Sequence, residues 1–214
     1  MTRPFLLLGL SLALMTALPA VAQTTTDTAT TPAPATDAAP SDLSMGIDPN
    51  AAPALPSQAD AELGKPYLAN TFDLWELRCV KKADGSDPCQ LYQLLRDKDG
   101  NQVAEFSIFA LPAGGKAAAG ATVIVPLETL LTANLQLSVD GAKPKIYPYT
   151  FCTKEGCIAR IGFTADEVAQ LKKGAGATMS LIPAAAPDVT VDLAISLKGF
   201  TAGFDAVTAA NLPK

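Results

Sequence analysis

The stretch TFCTKEGCIARIGF, residues 150–163, decides the fold and carries two of the four cysteines in the chain. Its second half alternates apolar residues with others, with the period of two that is typical of a strand with one buried face. The apolar members of that alternation are Cys157, Ala159, Ile161 and Phe163. Four residues separate Cys152 from Cys157, a length common in β-hairpins. The spacing fits a disulfide across a hairpin, half of a zinc site or a divergent redox motif.

The same alternation recurs along the chain after residue 70, between short polar loops that contain Asp-Gly pairs. The segments are TFDLWELRC (71–79), CQLYQLLR (89–96), AEFSIFAL (104–111), TVIVP (122–126), NLQLSVDG (134–141) and VTVDLAISLKGF (189–200). The last is the most regular, and its inward positions are predicted to be Val189, Val191, Leu193, Ile195 and Leu197. Many short strands at this spacing predict an all-β domain, a β-sandwich or barrel-like fold of about 8–10 strands.

One short helix is predicted over residues 164–173. Thr164 and Glu167 have the spacing of a capping box, in which each side chain bonds to the backbone of the other residue. Lys172 and Lys173 suit the last turn of a helix, and Gly174 suits the position after it. Acids are favoured at helix starts, so Asp166 and Glu167 are interpreted as part of the helix start and not as a catalytic pair.

Four cysteines allow three pairings. Local pairing, Cys79 with Cys89 and Cys152 with Cys157, is the simplest, because facing residues of paired strands lie about 4.5–5.5 Å apart, which suits a disulfide. On the loop-entropy model the two bridges would contribute about 2.8 and 2.2 kcal/mol. The crossed pairings would close longer loops, and entropy alone does not exclude them.

Zinc binding and redox exchange are weaker interpretations of the same cysteines. C-x4-C fits half of a zinc site, but C-x9-C is too long for the other half. The C-x-x-C spacing of dithiol exchange enzymes is absent. The four cysteines are therefore predicted to form two structural clasps, and no cofactor or metal is predicted.

The first 63 residues differ in composition from the rest of the chain. Residues 1–22 combine Arg3, an apolar run and an Ala-Val-Ala ending, which predicts a secretory signal peptide cleaved near Ala22-Gln23. Residues 23–63 are rich in Thr, Ala, Pro and Asp and have no aromatic or basic residue, which predicts a disordered tether. Residues 64–214 form the predicted β domain. The expected location is the periplasm, the outer surface or the medium, where disulfides persist, with no membrane span after cleavage.

Charge divides the chain in the same way. Six of the 21 acidic residues lie in the predicted tether, and Arg3 alone of the 16 basic residues precedes residue 64, which leaves 15 of each in the predicted β domain. A formally neutral domain without a basic run has no electrostatic footprint for nucleic acid or for anionic lipid.

The chain contains no histidine, which excludes Ser-His-Asp and Cys-His nucleophile systems. Ser196 and Lys198 share one side of a strand, but a Ser–Lys dyad needs a buried lysine with a lowered pKa, and this side is predicted to be the polar one. Asp97 opens a segment similar to a calcium loop, yet Gln102 and Ile108 stand where that loop needs Gly and Glu. A hairpin turn at Asp99-Gly100 accounts for that segment without a metal.

Spaced fragments of the chain resemble the invasion-associated locus B family of exported bacterial proteins. They are Trp75-x-Leu77-x-Cys79, Cys89, Val125-Pro126-Leu127, LQLSVDG (135–141), Tyr149-x-x-Cys152-x-x-x-Gly156-Cys157-x-Ala159, Ser196-Leu197-Lys198-Gly199-Phe200 and Gly203-Phe204. They span about residues 70–207. The resemblance implies a periplasmic or outer-surface protein with a β-sandwich fold and an association with host-cell entry, and it implies no catalytic residues.

The favoured hypothesis is an exported, non-enzymatic binding module whose partner is an envelope or host-surface protein or glycan. Lys154 and Glu155, at the tip of the predicted hairpin, are the candidate contact positions. One alternative is a hydrolase or carbohydrate-active enzyme that uses carboxylates alone. Its acids would come from the densest acidic group outside the helix start, which comprises Asp84, Asp87, Asp97, Asp99 and Glu105. A periplasmic small-molecule carrier is the other alternative.

Overall fold

The computed structural model describes residues 54–212. The predicted signal peptide and residues 23–53 of the predicted tether lie outside the described residues. The strands are β1 (Pro66–Phe72), β2 (Trp75–Val80), β3 (Cys89–Arg96), β4 (Gln102–Ala110), β5 (Ala119–Val125), β6 (Leu135–Val139), β7 (Lys145–Tyr147), β8 (Tyr149–Thr153), β9 (Gly156–Phe163), β10 (Gly176–Leu181) and β11 (Val191–Ser196). The helices are α1 (Ala165–Lys173) and α2 (Phe200–Ala210), and Leu131–Ala133 form a 3₁₀ turn.

Two antiparallel sheets make up the domain, as predicted for a β-sandwich. The larger sheet has the strand order β1-β2-β3-β4-β5-β9-β8, and the smaller has the order β11-β10-β6-β7. Within the described residues neither sheet closes into a barrel. One buried cluster includes side chains from both sheets and both helices.

The described residues contain eleven strands, more than the predicted 8–10. TFDLWELRC, interpreted above as one strand, is a hairpin in which Phe72 pairs with Trp75 across a turn at Asp73-Leu74. Asp73 adopts a φ of 60°, a left-handed conformation that Asp tolerates better than most residues. The predicted inward face was right for β2, because Trp75, Leu77 and Cys79 are all buried.

The helix α1 confirms its sequence signals. Thr164 and Glu167 form both hydrogen bonds of a capping box, and Val168 and Leu171 are buried. Gly174 follows the helix as expected, but with a φ of −68°, so it is not a left-handed cap. A Cβ at Gly174 would lie 2.8 Å from Leu197 Cδ1, so a larger residue here would require the Leu197 side chain to shift.

The helix α2 was not predicted, and residues 199–200 were assigned to the end of a strand. The strand β11 is also shorter than expected, and Val189, predicted to point inward, is 50% exposed. The buried residues of α2 are Phe200, Gly203, Phe204 and Val207. This spacing of i, i+3, i+4 and i+7 is the pattern of a helix with one buried face. The pattern was present in the sequence and was hidden by the strong alternation just before it.

Residues 54–63, assigned by the sequence analysis to the end of the tether, contact the β domain. Ala61 is buried, and the backbone N–H of Leu68 donates to the carbonyl of Pro56 at 3.0 Å. The Lys81 ammonium donates to the carbonyls of Gln58 and Ala61 at 2.8 and 2.9 Å. Within residues 54–212 no helix has the length and apolar character that crossing a membrane requires.

Candidate functional site at the Cys79–Cys89 clasp

Both predicted local disulfides are present, and the crossed pairings are not. Cys79 faces Cys89 on β2 and β3 with their Cα atoms 4.0 Å apart. Cys152 faces Cys157 on β8 and β9 with their Cα atoms 3.9 Å apart. Direct opposition on neighbouring antiparallel strands is the geometry that favours a bridge across a hairpin. The two clasps lie at opposite ends of the larger sheet, because Cys157 pairs with Val125 at the end of β5 remote from the Cys79–Cys89 end.

The end of α2 is fastened to the first clasp. The backbone N–H of Cys89 donates to Asn211 Oδ1 at 2.8 Å, and Asn211 Nδ2 donates to the carbonyl of Cys89 at 2.8 Å. The amide of Asn211 thus satisfies both backbone groups of Cys89, as a neighbouring strand would. This side-chain pairing positions the C-terminal end of α2 directly beside the disulfide.

The loop between β2 and β3 is organised by Asp87. One carboxylate oxygen accepts from the backbone N–H of Lys82 at 2.7 Å. The other accepts from Tyr67 Oη at 2.7 Å and from Gln58 Nε2 at 2.9 Å. The backbone bond from Lys82, followed by the bonds from Tyr67 and Gln58, lowers the pKa of Asp87 to about 2. The pKa of Tyr67 rises to about 12, first through burial and then through its bond to Asp87.

A groove with a volume of about 970 Å³ lies beside this clasp. Its walls come from β1, β2, β3, β4, the following loops and the end of α2. The apolar lining includes Leu55, Pro66, Val80, Pro88, Phe109, Ala110, Leu111, Pro112, Ala210 and Leu212. The polar lining includes Arg78, Asp84, Ser86, Gln90 and Asn211. A mostly apolar concavity with a few convergent polar groups is the usual form of a ligand site, and its volume lies within the usual range for one.

The charged groups of the groove are held in place by their neighbours. Arg78 Nε donates to Glu76 Oε2 at 2.7 Å, and the guanidinium lies 3.2 Å from the centre of the Tyr92 ring. Asp84 Oδ1 accepts from the hydroxyl and the backbone N–H of Ser86 at 2.7 and 3.0 Å. The hydroxyl bond first, and then the backbone bond, lowers the pKa of Asp84. The groove therefore contains one fixed cation and one fixed anion, which leaves its charge balanced.

The predicted contact positions lie at the other end of the larger sheet. Lys154 and Glu155 form a two-residue turn between β8 and β9, and both are exposed. Glu155 accepts a hydrogen bond from Thr153 Oγ1 at 2.6 Å, which is the main cause of its lowered pKa. The structure therefore shows two separate exposed features, the groove and the hairpin tip.

The acids of the hydrolase alternative are not brought together. Asp84 and Asp87 precede β3, whereas Asp97 and Asp99 follow it, and an eight-residue strand separates its two ends by roughly 25 Å. Asp97 bonds to the backbone N–H groups of Asp99 and Asn101, both at 2.9 Å, and so fixes the turn. Glu105 lies on the exposed face of β4.

The Ser196–Lys198 pair does not have the environment of a catalytic dyad. Lys198 is exposed, and its ammonium lies 2.7 Å from a carboxylate oxygen of Asp73. This contact raises the pKa of Lys198, first through hydrogen bonding and then through the charge of Asp73. A lysine that activates a serine nucleophile would need a lowered pKa.

No metal site is evident in the part of the chain that the structure describes. Among residues 54–212, no group of three or more Cys, Asp or Glu side chains is placed to hold an ion. The calcium-like segment beginning at Asp97 instead closes the β3–β4 hairpin, in which Gly100 adopts a φ of 86°.

Comparison with known proteins identifies the family. The family model for the invasion-associated locus B (IalB) protein matches residues 75–208, which covers β2 through nearly the end of α2. The chain belongs to the invasion-associated locus B family.

Two curated relatives show how far the likeness to individual IalB proteins extends. An invasion protein B homologue of Brucella abortus (strain 2308) is 27% identical over 146 residues, which cover 68% of this chain and 82% of that protein. Invasion protein B of Bartonella bacilliformis is 27% identical over 148 residues, which cover 68% of this chain and 77% of that protein.

A solved structure supports the same fold. The crystal structure of invasion associated protein B from Bartonella henselae superposes with a TM-score of 0.52 at 23% sequence identity. The match covers 65% of this chain and 95% of that chain. At this identity the likeness establishes the shared fold.

Most residues that carry the IalB resemblance lie in the core. The buried members include Trp75, Leu77, Cys79, Cys89, Val125, Cys157, Ala159, Leu197, Phe200 and Phe204. These residues stabilise the sandwich and its two disulfides. Family membership therefore establishes the fold, but it does not indicate a binding site. The groove was not foreseen, because its residues come from five separate segments and no sequence motif joins them.

Proposed function

We propose that this IalB family member is an exported binding module of the bacterial envelope without catalytic activity of its own. In this proposal the groove beside the Cys79–Cys89 clasp holds an extended apolar segment of a partner protein. The groove is the observation that carries the proposal. The names of the relatives, which are invasion proteins, support a partner on the envelope or on a host-cell surface.

The shape of the groove favours an extended segment. It crosses the ends of β1 to β4, four neighbouring strands spaced about 4.8 Å apart, so it is about 14 Å long. That length accommodates about four extended residues. Apolar side chains of a partner would be removed from water against walls such as Phe109 and Leu111. Polar backbone groups of the partner would face Gln90 and Asn211.

The groove is also suited to binding because its walls are rigid. The disulfide between Cys79 and Cys89 fixes two of the strands, and Asn211 fixes the end of α2. Asp87 fixes the β2–β3 loop through three hydrogen bonds. A site that is already ordered loses less conformational entropy when a partner binds.

Export is supported by the signal-like residues 1–22 and by the two disulfides, which persist in oxidising compartments. The test is to express the full chain in a Gram-negative host and to measure the intact mass of the periplasmic product. A chain that begins at Gln23 is the expected result. An uncleaved chain retained in the cytoplasm with four free thiols would contradict export.

Binding is tested with a photo-crosslinker placed at Leu212 of the mature chain and incubated with envelope and host-membrane extracts. Leu212 lines the groove and is 62% exposed, and Leu74 is a matched control, because it is 64% exposed and lies outside the groove lining. We expect one protein to be crosslinked from position 212 and not from position 74. When the tagged chain is used to capture the partner from these extracts, Leu212→Asp should abolish the capture and Leu74→Asp should not. Equal capture by both variants would contradict the groove as the site.

A small-molecule carrier is the second candidate, because a volume of about 970 Å³ also suits a ligand of that kind. Native mass spectrometry of the protein purified from the envelope distinguishes the two. A small ligand that co-purifies and is lost in Leu212→Asp would favour the carrier. The carboxylate enzyme has no assembled acid pair to support it among the described residues.

A further inference from the structure

The two disulfides differ in accessibility. Cys79 and Cys89 are both buried, with 2% and 8% of their surfaces exposed, and the end of α2 adjoins them. In the second bridge Cys157 is buried, but Cys152 is exposed on the edge strand β8. Cys79 and Cys89 line the groove, but their low exposed fractions leave a thiol reductant less access to them than to Cys152.

The strand β8 contributes little to the core. It is the only strand of the larger sheet, within the described residues, that has no buried residue. Tyr149 is its one half-buried side chain, and the hydroxyl of Tyr149 is buried with no hydrogen-bond partner in the described structure. Apolar burial is the main term that offsets the entropy of ordering a strand, and β8 has almost none.

Few interactions other than the disulfide hold β8 in place. Its pairing with β9 contains an irregularity between Tyr149 and Phe151. Phe151 is exposed and contacts the Arg160 guanidinium at 5.4 Å from the ring centre. Besides its four residue pairs with β9, the strand β8 is thus held to the sheet mainly by the bridge from Cys152 to Cys157.

We propose that Cys152–Cys157 is a thiol-exchange site and that its reduction by a dithiol releases β8 from the sheet edge. A thiolate of the dithiol attacks the sulfur of Cys152 and forms a mixed disulfide. Cys157 leaves as the thiolate with the electron pair of the broken bond. The second thiol of the reductant then displaces Cys152, so the dithiol is oxidised to its disulfide and both cysteines gain a proton.

Release of β8 would remain local. The chain before it is held by β7, which pairs with β6 in the smaller sheet. The chain after it enters β9, which pairs with β5 from Cys157 to Phe163. Detachment of residues 149–153 would expose the free edge of β9 from Gly156 to Ala159, with its backbone N–H and carbonyl groups available to another strand.

This proposal is independent of the proposed function, because it concerns the opposite end of the larger sheet from the groove. Its test is a titration of the mature chain with dithiothreitol, followed by acid quench, alkylation and peptide mass spectrometry. Alkylation of Cys152 and Cys157 is expected at a dithiothreitol concentration about tenfold lower than that needed for Cys79 and Cys89. Earlier or simultaneous alkylation of Cys79 and Cys89 would overturn the proposal.

Hydrogen exchange measures whether β8 is released. After selective reduction, the backbone amides of residues 149–153 should exchange about tenfold faster or more, while those of β3 and β4 keep their protection. The variant Cys152→Ser/Cys157→Ser should reproduce that pattern without reductant. Unchanged exchange at residues 149–153 after reduction, or loss of protection throughout the domain, would overturn the release of β8. The alkylation order in the native chain tests the exchange site even if the double variant does not fold.

Discussion

The side chain of Gln93 on β3 joins the two sheets by pairing with the backbone of Ser196 at the end of β11. The backbone N–H of Ser196 donates to Gln93 Oε1 at 2.9 Å, and Gln93 Nε2 donates to the carbonyl of Ser196 at 3.1 Å. The same carbonyl accepts from Trp75 Nε1 at 2.7 Å. Gln93 is buried, and its amide provides both bonds that an edge strand otherwise lacks. A buried polar residue thus fixes how the smaller sheet meets the larger one.

Replacement of Gln93 should destabilise the domain through unsatisfied backbone groups. Gln93→Leu removes the acceptor for the Ser196 N–H and one of the two donors to its carbonyl, so we expect a loss of about 1–3 kcal/mol in the free energy of unfolding. Urea unfolding measures it. Gln90→Leu is the control, since Gln90 is exposed on the same strand and should change stability by less than about 0.5 kcal/mol. Equal effects of the two variants would show that the paired amide is unimportant.

Trp75 should be the most sensitive single position in the core. The residue is fully buried, with its ring 5.2 Å from Phe200 and 5.9 Å from Phe106. Trp75→Ala is expected to cost about 3–5 kcal/mol. Trp75→Phe keeps an aromatic ring but loses the bond to Ser196, and it should cost roughly 1–3 kcal/mol. Guanidinium unfolding followed by circular dichroism gives both values. A negligible cost for Trp75→Ala would contradict its place in the core.

Sequence periodicity predicted the parts of the fold that depend on local patterns. The alternation around Trp75 and Cys157 gave the buried faces of β2 and β9 correctly, and the Thr164–Glu167 spacing gave α1. Local disulfides followed from hairpin geometry. Each of these features is determined by residues within about ten positions of one another.

The features that were missed depend on tertiary contacts. Asn211 satisfies the backbone of Cys89 from 122 positions away, and Gln93 does the same for Ser196 from 103 positions away. Neither amide has a local signature, because Asn and Gln are usually exposed. The groove is defined by the same kind of long-range packing. The helix α2 is different, because the helical spacing of its buried residues is present in the sequence. It was missed because the alternation of the preceding strand was extended into it.

Asp87 should make stability depend on pH in the acid range. Its folded pKa of about 2 lies below the ordinary value of 3.8, so the ionised form is favoured by folding. This contribution is complete above the ordinary pKa and is lost as the pH falls through about 2. Asp87→Asn should lower the melting temperature at pH 7 and flatten its decline between about pH 4 and pH 2. Tyr67→Phe, which removes one donor, should give an intermediate slope. If the melting temperatures of the wild type, Asp87→Asn and Tyr67→Phe decline equally between about pH 4 and pH 2, the low pKa does not belong to Asp87.

Gly156 should be the least replaceable glycine of the β8–β9 hairpin. It adopts a φ of 152°, and a Cβ there would overlap the carbonyl oxygen of Val125 on the neighbouring strand. Because that atom belongs to the backbone of a central strand, it cannot move aside without disturbing the β5–β9 pairing. Gly156→Ala is expected to lower the free energy of unfolding by about 2–3 kcal/mol or more.

Gly141→Ala is the matched control for Gly156→Ala. Gly141 also has a positive φ, 71°, but a Cβ there would meet no atom within 4 Å. Its replacement should therefore cost only the backbone term of about 1–2 kcal/mol. Urea unfolding of both variants separates conformational strain from overlap. If Gly156→Ala costs no more than Gly141→Ala, the close approach of β9 to Val125 does not constrain the hairpin, and Gly156 is needed only for its backbone conformation.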